Sequence, residues 1–490
     1  MNPLFMPSSL SRFRATRASL LALFCVGVLL QSASAQTYYW DNNDATAGFG
    51  TAGGTWAAPT TNNSTQGWST SSAGTSALSG TTNTTTSDAL NFGTGSAGLA
   101  AGTITVSGNV SSAGITFGNA SGNITLSGGN ITLAGSIASA NTTQTHTITS
   151  NITLAASGIS FGGGSKLTFN GVISGANGLA TDPGNYNGPI TFNGNNTYTG
   201  DFSLGRGQVN FNSIANAGQS SALGAGSTIT LAWGGGQGPN LNYTGATAAS
   251  TNRTFRLSGG SNVLVAQSGA LVITGNVTEI ASYAGTTLTL SGIANTGSNE
   301  ISGVIGGNIS ALTVGALTPN GGTSEAGYWI LSGNNSYTGT TWITGSSILR
   351  IAHANALGTT ANGTSVQSGS ALELAGGISV GAEALSLSGT GISSGGGLRN
   401  ISGNNSYAGV ITLGGPARIN SDANTLTLSG GITGTQNLTI GGASNTIISG
   451  NITTSTGTLT KDGTGTLTLS GNNTYTGTTT VSAGTLEIGH

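Results

Sequence analysis

The sequence contains very little charge. Lys and Arg number 11 and Asp and Glu 13, so charged residues make up 5% of the 490-residue chain, where about 25% is usual. After the N-terminal segment, the basic residues form no stripe that would displace counterions from a nucleic acid. They also form no polybasic segment that would hold an anionic membrane surface. We therefore expect no nucleic acid and no lipid surface as a partner.

The residues that usually bind metals or form disulfides are equally scarce. The one cysteine, Cys25, lies in an apolar N-terminal run, and the three histidines are far apart in the sequence. Zinc sites need clustered His, Cys or carboxylate ligands, and the Gly-rich calcium-binding repeat is absent. Asp41 with Asp44 is interpreted as a solvated turn. Asp462 beside Lys461 is interpreted in the same way. The sequence predicts no metal, no small-molecule cofactor and no disulfide.

Long hydrophobic runs are missing as well. The run at 18–30 has 13 residues, which is too short for a membrane-spanning helix of about 20. A small-x-small sequence at 33–35 follows it, and three basic residues precede it: Arg12, Arg14 and Arg17. This order is typical of a secretory signal. We predict a signal peptide over 1–35 and export through the inner membrane. Removal of this peptide would leave a chain with a formal net charge of −5.

Glycine, threonine, serine and asparagine dominate what is present. Glycine accounts for 85 residues, but the eight prolines and the lack of a Gly-X-Y period exclude collagen. Short runs such as 103–106, 114–117 and 123–126 alternate apolar residues with Thr or Ser, the period-two pattern of a strand with one buried face. No sustained 3.6-residue period follows the signal, so the sequence predicts an all-β protein with few helices.

One motif occurs four times, near 190–212, 328–351, 398–413 and 463–489. Each copy has a short strand-like run, a Gly-Asn-Asn turn, a Tyr, a second Gly and a β-branched run. Its first Asn falls at positions 195, 334, 404 and 472, and the first interval is nearly twice the others, as one decayed copy would produce. We predict that the motif residues form structural corners: Asn195, Asn196, Tyr198, Gly200, Asn334, Asn335, Tyr337, Gly339, Asn404, Asn405, Tyr407, Gly409, Asn472, Asn473, Tyr475 and Gly477.

Repetition of this kind indicates a stack, because one unit cannot bury its apolar face alone. Gly and Asn tolerate the positive φ of tight turns, and stacked Asn side chains can form hydrogen-bonded ladders. We predict a parallel β-solenoid over 101–490, with about 20–25 residues per turn and roughly 16–20 turns. The alternative is a series of tandem β-sandwich-like units.

The segment 36–100 differs from the rest because it is rich in aromatic residues. Trp40, Trp56 and Trp68 are three of the six tryptophans in the chain. The end units of a solenoid must cover an open core and are therefore atypical. We interpret this segment as an N-terminal cap, with a carbohydrate-binding aromatic patch as the alternative.

The motif copies resemble the autotransporter-associated β-strand repeat, also named the passenger-associated transport repeat. The resemblance rests on L-S-G-N-N-[ST]-Y-[TA]-G with the following T-T-x-[VI] run, on 484–489, and on the Trp-containing segment 40–56. Clear units cover about a third of the chain. The resemblance implies a right-handed parallel β-helical passenger at the bacterial cell surface or released from it, with repeats that assist movement across the outer membrane. The sequence shows no C-terminal series of alternating strands such as a membrane barrel requires, so the outer-membrane translocator is expected not to be encoded in this chain.

Catalytic motifs are present only as coincidences of composition. Three G-x-S-x-G matches, at 158–162, 377–381 and 391–395, lack the strand-to-helix turn of a nucleophile elbow. One G-x-G-x-x-G match at 93–98 lacks the βαβ context. We expect a non-catalytic surface scaffold or adhesin whose partner is a cell surface or a glycan. The alternatives are a β-helical polysaccharide lyase or hydrolase, using residues such as Asp182, Asp201, Arg253 and Arg256, and a self-assembling biofilm matrix protein.

Overall fold

The computed structural model describes residues 34–57, 60–61, 67–76, 81–140, 143–164, 166–182, 188–232, 238–280, 285–292, 299–316 and 326–489. The predicted signal peptide lies outside these residues, apart from its last two positions. The chain divides into two units, Met1–Ser34 and Ala35–His490, and the strands given below belong to the second. None of the helices in the described ranges is both long and apolar enough to cross a membrane.

Short β-strands make up almost all the regular structure of the second unit. The first six are β1 (Thr37–Asp41), β2 (Thr55–Ala57), β3 (Thr60–Thr61), β4 (Gly67–Ser69), β5 (Thr81–Thr82) and β6 (Ala89–Phe92). The next twelve are β7 (Gly102–Ser107), β8 (Asn109–Ser112), β9 (Gly114–Phe117), β10 (Ile124–Ser127), β11 (Asn130–Leu133), β12 (Ile137–Ser139), β13 (Thr145–Ile148), β14 (Asn151–Leu154), β15 (Ser160–Gly163), β16 (Lys166–Phe169), β17 (Ile173–Ser174) and β18 (Leu179–Asp182).

The middle of the chain continues with the same short elements. They are β19 (Ile190–Phe192), β20 (Phe202–Leu204), β21 (Gly207–Phe211), β22 (Thr228–Ala232), β23 (Pro239–Tyr243), β24 (Ala249–Thr251), β25 (Thr254–Ser258), β26 (Ser261–Ala266), β27 (Leu271–Ile273), β28 (Val277–Glu279), β29 (Thr287–Ser291), β30 (Asn299–Ile301), β31 (Ala311–Val314), β32 (Tyr328–Leu331), β33 (Thr340–Ile343), β34 (Ile348–Ile351), β35 (Thr364–Val366) and β36 (Ala371–Ala375).

The C-terminal part contains the remaining strands and one short 3-10 turn, Ile392–Ser394. The strands are β37 (Ser379–Val380), β38 (Leu385–Gly389), β39 (Leu398–Ser402), β40 (Asn405–Tyr407), β41 (Ile411–Ser421), β42 (Leu426–Leu428), β43 (Ile432–Gly434), β44 (Leu438–Gly441), β45 (Thr446–Ile448), β46 (Ile452–Thr453), β47 (Leu459–Lys461), β48 (Thr466–Leu469), β49 (Thr479–Val481) and β50 (Thr485–Ile488).

The strands stack in parallel from one turn to the next. Thr125 of β10 pairs with Thr103 on one side and Thr147 on the other, an interval of 22 residues in both directions. Strands β7, β8 and β9 form one turn, and β10, β11 and β12 lie on them in the same order. The whole forms a β-solenoid of about 17 turns. The predicted all-β solenoid is confirmed, and the sandwich-like alternative is wrong.

The long strand β41 joins two columns of stacked strands. Its first half pairs with β38 and β43, and its second half pairs with β39 and β44. The described strands form four further sheets: an 11-stranded sheet that ends at β4 and β28, a four-stranded sheet from β8 to β17, a six-stranded sheet from β37 to β50, and a two-stranded sheet of β3 and β5. Each turn therefore hydrogen-bonds to its neighbours on several faces.

The core is one continuous apolar column. Inward positions alternate with outward Thr and Ser, as in β16, where Leu167 and Phe169 are buried and Thr168 is only partly so. The rings of Phe161 and Phe192 both pack against that of Phe169, with centroids 4.5 and 5.3 Å away. Burial of a side chain of this size stabilises the fold by about 1.5–3 kcal/mol, and the stack repeats that gain at every turn.

The aromatic N-terminal segment packs its tryptophans inward. Strand β1 pairs antiparallel with β4, which places Trp40 opposite Trp68, while it pairs parallel with β6. The Trp68 ring lies 5.0 Å from Trp40 and 5.5 Å from Trp56, nearly perpendicular to both, an arrangement that aromatic pairs favour. All three are buried, so they offer no face to a sugar. Their burial and the edge position of β4 support the capping interpretation, which we keep as a proposal.

One carboxyl group is buried in the core beside two tyrosines. Glu383 is 3% exposed, and its Oε1 accepts a hydrogen bond of 2.9 Å from Thr364 Oγ1. Its Oε2 has no hydrogen-bond partner among the described residues. Burial raises the pKa of Glu383 to about 7, and the hydrogen bond from Thr364 opposes that change. Its charge also raises the pKa values of Tyr337 and Tyr407.

This burial predicts a pH-dependent stability. The pKa of Glu383 is about 7 in the folded chain against an ordinary 4.5, so between these values the folded state binds more protons than the unfolded state. The free energy of unfolding should therefore fall by roughly 3 kcal/mol as the pH rises from about 4.5 to about 8. Glu383→Gln should remove the contribution of Glu383 and leave the smaller fall that the raised pKa of Asp41 causes, which urea unfolding at a series of pH values would measure.

The exposed Glu487 supplies the matched control. Glu487→Gln should keep the pH dependence of the unmodified chain, and comparing variants cancels the other titrating groups, including the buried His146. Equal pH dependence in the unmodified chain and in Glu383→Gln would contradict the prediction.

Candidate functional site

The second Asn of each motif copy is a bridge to the preceding turn. Its side-chain Oδ1 accepts a backbone N–H of an isoleucine in all four copies. The donors are Ile173 to Asn196 (2.8 Å), Ile305 to Asn335 (2.8 Å), Ile378 to Asn405 (2.6 Å) and Ile452 to Asn473 (2.8 Å). Each side chain replaces a strand-to-strand hydrogen bond at a corner, where a buried N–H would otherwise lack a partner.

Two of these asparagines also reach the next turn. Asn196 Nδ2 donates to Ala222 O at 2.6 Å, and Asn335 Nδ2 donates to Ala356 O at 2.7 Å. Asn405 instead uses Nδ2 within its own turn, donating to Ser402 O at 2.8 Å. Asn196, Asn335 and Asn405 are almost fully buried. One amide therefore fixes the spacing of three successive turns at the first two sites.

The first Asn of each copy is exposed and makes weaker connections. Asn404 Oδ1 accepts the backbone N–H of Thr425 at 3.0 Å, and Asn334 Oδ1 accepts Asn355 Nδ2 at 2.8 Å. For Asn472 it is the backbone N–H that donates, to Asn451 Oδ1 at 2.8 Å. The two asparagines of the motif thus differ in exposure and in hydrogen bonding, although they are adjacent and identical in the sequence.

The motif tyrosines fill the core below the corner. Tyr198, Tyr337 and Tyr407 are fully buried, and burial raises the pKa of each hydroxyl. Tyr337 Oη lies 2.6 Å from Thr341 Oγ1, and Tyr475 Oη lies 2.8 Å from the hydroxyl of Thr479.

The residue four positions after the tyrosine decides whether its hydroxyl has a partner. The other two copies have Phe202 and Ile411 at that position. The hydroxyls of Tyr198 and Tyr407 correspondingly lack a hydrogen-bond partner within the described ranges.

The second glycine of each copy allows two backbones to approach closely. A Cβ at Gly409 would lie 1.6 Å from Glu383 O, and one at Gly200 would lie 2.1 Å from Gly178 N. Gly339 and Gly477 are equally confined. The motif glycines therefore serve contact between turns. Positive φ, expected from the Gly-Asn-Asn sequence, occurs within the four turns only at Gly403, at 82°.

Charged residues collect in a second feature, which we name the charged ladder: Tyr328, Arg350, Glu373, Arg399, Arg418, Asn420, Asp422 and Asp462. Register pairs Arg350 with Glu373 and Glu373 with Arg399 on successive strands. Arg350 Nη2 lies 2.8 Å from Glu373 Oε2, and Arg399 Nη1 lies 3.2 Å from Glu373 Oε1. Opposite charges directly across strands stabilise the pairing.

The ladder continues along the stack through hydrogen bonds. Arg399 Nε pairs with Asp422, whose other oxygen accepts Asn420 Nδ2. Asn420 Oδ1 accepts Arg418 Nη2 at 3.1 Å, and Arg418 Nη1 lies 2.7 Å from Asp462 Oδ2. Burial and the Glu373 carboxylate raise the pKa of Tyr328 to about 12. The charges are thus largely paired with one another.

The residues considered for polysaccharide chemistry are used for structure. Asp182 pairs with Arg206 at 3.0 Å, and Asp201 Oδ1 accepts the backbone N–H of Thr228 at 2.8 Å. Arg253 is buried and donates to backbone carbonyls, including Leu223 O at 2.9 Å. Arg256 lies on β25, opposite Thr230 and Thr278. Burial lowers the pKa of Arg253, and the Asp201 carboxylate partly opposes that change, so the structure brings these two of the four residues near each other.

The described residues also contain no group of three or more His, Cys, Asp or Glu that could hold a metal ion. Asp41 is buried, and its Oδ1 accepts the N–H of Asn43 at 3.1 Å. Lys461 Nζ donates to three backbone carbonyls, the nearest being Gly463 O at 2.8 Å. Asp41 and Lys461 therefore fix turns, and because both side chains are buried, the interpretation of these two residues as parts of solvated turns is wrong.

Comparison with known proteins places the repeats in a family. Residues 324–346 and 459–488 match the passenger-associated-transport-repeat family. A stretch of 183 residues is 33% identical to the adhesin BmaC autotransporter of Brucella suis biovar 1 (strain 1330). That stretch is 37% of this chain but 4% of the adhesin. No solved structure matches the chain.

The two matches agree with the repeated corners seen in the structure. The matched segments contain Asn335 and Tyr337 in one copy and Asn473 and Tyr475 in another, the residues whose amides and rings connect the turns. The resemblance inferred from the sequence is confirmed: the chain contains passenger-associated transport repeats in these two segments and is similar over 183 residues to part of an autotransporter adhesin.

Proposed function

We propose that this chain is a non-catalytic passenger that forms a structural scaffold or adhesin at the cell surface. The observation that carries the proposal is the outward face of the stack. Thr313 of β31, Trp342 of β33, Ser365 of β35, Ser386 of β38 and Thr412 of β41 follow one another in register. With the exception of Trp342, they form a column of hydroxyl groups suited to many weak contacts with a cell surface or glycan.

The charged ladder supports a non-catalytic role. A general acid or base must have a proton-transfer position open to substrate. Glu373 is 3% exposed at its side chain and is bound by Arg350, Arg399 and Tyr328. Asp422 and Asp462 are likewise held by arginines. The proposal assigns these groups to alignment of successive turns.

The repeats are proposed to assist export by favouring local folding. A solenoid gains stability by adding one turn to the previous one. Asn335 connects the turn of Ile305 to the turn of Ala356. When the turn of Ala356 folds onto the stack, the Asn335 side chain of the neighbouring turn can therefore hydrogen-bond to it at once. The similarity to a segment of an autotransporter adhesin supports an exported, surface-exposed location for such a stack.

The adhesive role is tested with the purified chain coupled to beads. Beads that carry the chain should be retained on bacterial or animal cell layers, while albumin-coated beads should be washed away. The same preparation should release no new reducing ends from neutral or acidic polysaccharides. Retention equal to that of albumin would contradict the adhesive role, and polysaccharide cleavage would show that the chain is an enzyme.

The bridging role of the second asparagine is tested at a single copy. Asn335→Ala leaves the Ile305 N–H and the Ala356 carbonyl without their amide partner, which should cost about 2–4 kcal/mol locally. Hydrogen exchange read by mass spectrometry should show faster exchange at Ile305, together with a new protease-sensitive site nearby.

Its neighbour provides the control, since Asn334 is exposed. Asn334→Ala should leave exchange at Ile305 unchanged. Equal exchange rates at Ile305 in Asn335→Ala and in the unmodified chain would contradict a structural role for the motif corner.

A further inference from the structure

Trp342 differs in exposure from the other tryptophans that the structure describes. Within the described ranges, Trp40, Trp56, Trp68 and Trp329 are 0–3% exposed, whereas Trp342 is 39% exposed. It lies at an outward position of β33, between the buried Thr341 and Ile343. An exposed large aromatic surface has an energetic cost in water, and it marks an interaction site when the fold does not need it.

The other repeat copies show that the fold does not need tryptophan at this position. Trp342 is the fifth residue after the motif tyrosine, and the equivalent residues in the other copies are Ser203, Thr412 and Thr480. Each of these lies within a short or longer strand: Ser203 on β20 of the 11-stranded sheet, Thr412 on β41 and Thr480 on β49. A hydroxyl side chain therefore satisfies the outward position in three copies, and packing gives no reason for the indole in the fourth.

The indole of Trp342 borders a groove of about 470 Å³ on the outward face. Asn362, Ser365, Ser386 and Thr412 are among its lining residues. None of its lining side chains is ionisable. The groove therefore combines one flat apolar wall with several hydroxyl and amide groups, and it carries no charge.

The polar groups of the groove are spaced by the solenoid itself. Trp342, Ser365, Ser386 and Thr412 are register partners on successive strands, and neighbouring strands lie about 4.8 Å apart. A hydroxyl group therefore follows the indole at each turn along the axis. An extended ligand lying along this column meets the aromatic wall first and a regular series of hydrogen-bonding groups after it.

We propose that this groove binds a neutral glycan chain, with a sugar ring stacked on Trp342. A sugar ring has an apolar C–H face and a rim of hydroxyls, which match an indole face and adjacent Ser, Thr and Asn side chains. A carboxylated or sulfated glycan would place charge where the groove has no cation to pair with it. The proposal rests on the adhesive function above and specifies the ligand of that surface.

A protein partner fits this groove less well. Protein interfaces are centred on several buried aromatic or aliphatic anchors surrounded by a polar rim. The groove has one aromatic side chain and is otherwise mostly Ser, Thr and Asn. A single stacking surface beside regularly spaced hydroxyls favours a repeating polar chain over a folded partner.

The test uses the purified full chain, with dextran, laminarin and mannan as neutral probes and polygalacturonate and heparin as acidic probes. Affinity electrophoresis should show retardation by at least one neutral polysaccharide, and oligosaccharides of that polymer should change the tryptophan fluorescence. Trp342→Thr gives the position the residue type found in two other copies, so the solenoid should be retained. The variant should bind at least tenfold more weakly.

Ser203→Ala, at the equivalent position of another copy, is the matched control and should bind within twofold of the unmodified chain. Binding retained in Trp342→Thr, or found only with acidic probes, would overturn the proposal. Loss of cell retention in the bead assay upon Trp342→Thr, without binding to any of the neutral probes, would indicate a protein partner and would also overturn it. Cell retention that is unaffected by Trp342→Thr would leave the adhesive function standing and reject this groove as its site.

Discussion

The structure depends on backbone hydrogen bonds between successive turns, and above all on how they are completed at the corners. Within the strands, backbone N–H and C=O groups hydrogen-bond to the strands of the adjacent turns. A corner interrupts this pairing and leaves backbone N–H groups that face the core. Asparagine solves this problem because its side chain has both an acceptor and a donor with the geometry of a peptide group. Asn196 and Asn335 use both functions, one toward each neighbouring turn.

This constraint explains the composition. A stack with an apolar interior and a hydrogen-bonded wall needs small residues where backbones meet, and Gly200 and Gly409 show how little space remains there. Outside the core, Thr and Ser supply β-branched or small polar side chains that hydrate the wall without charge. Low charge and abundant Gly, Asn and Thr are therefore consequences of one architecture. The chain has few charged side chains because its uncharged Thr and Ser residues already hydrate the wall.

Much of the fold was predictable from the sequence because its signals are local and repeated. Alternation such as that in β16 predicted the strands, the repeated motif predicted a stack, and the spacing of the short strands predicted turns of about the right length. The side-chain arrangement was less accessible. Asn334 and Asn335 are adjacent and chemically identical, yet one is exposed and the other buried, and only the direction of the backbone at the corner distinguishes them.

The charged ladder and the groove were missed for a related reason. Arg350, Glu373 and Arg399 are separated by 23 and 26 residues, and they become neighbours only when the length of each turn is known. In the sequence, nothing distinguished Trp342 from the other five tryptophans. Its exposure, compared with that of the other described tryptophans, is what sets it apart.

The charged ladder has a consequence for resistance to proteases. Proteases that cleave after Arg or Lys need several residues of extended, unpaired chain around the scissile bond. Arg350, Arg399 and Arg418 lie within strands that are paired on both sides, and each is held by a carboxylate. Digestion at these points must wait for local opening of the stack. A chain that holds these three arginines in paired strands is thereby protected from cleavage at them while the stack is closed.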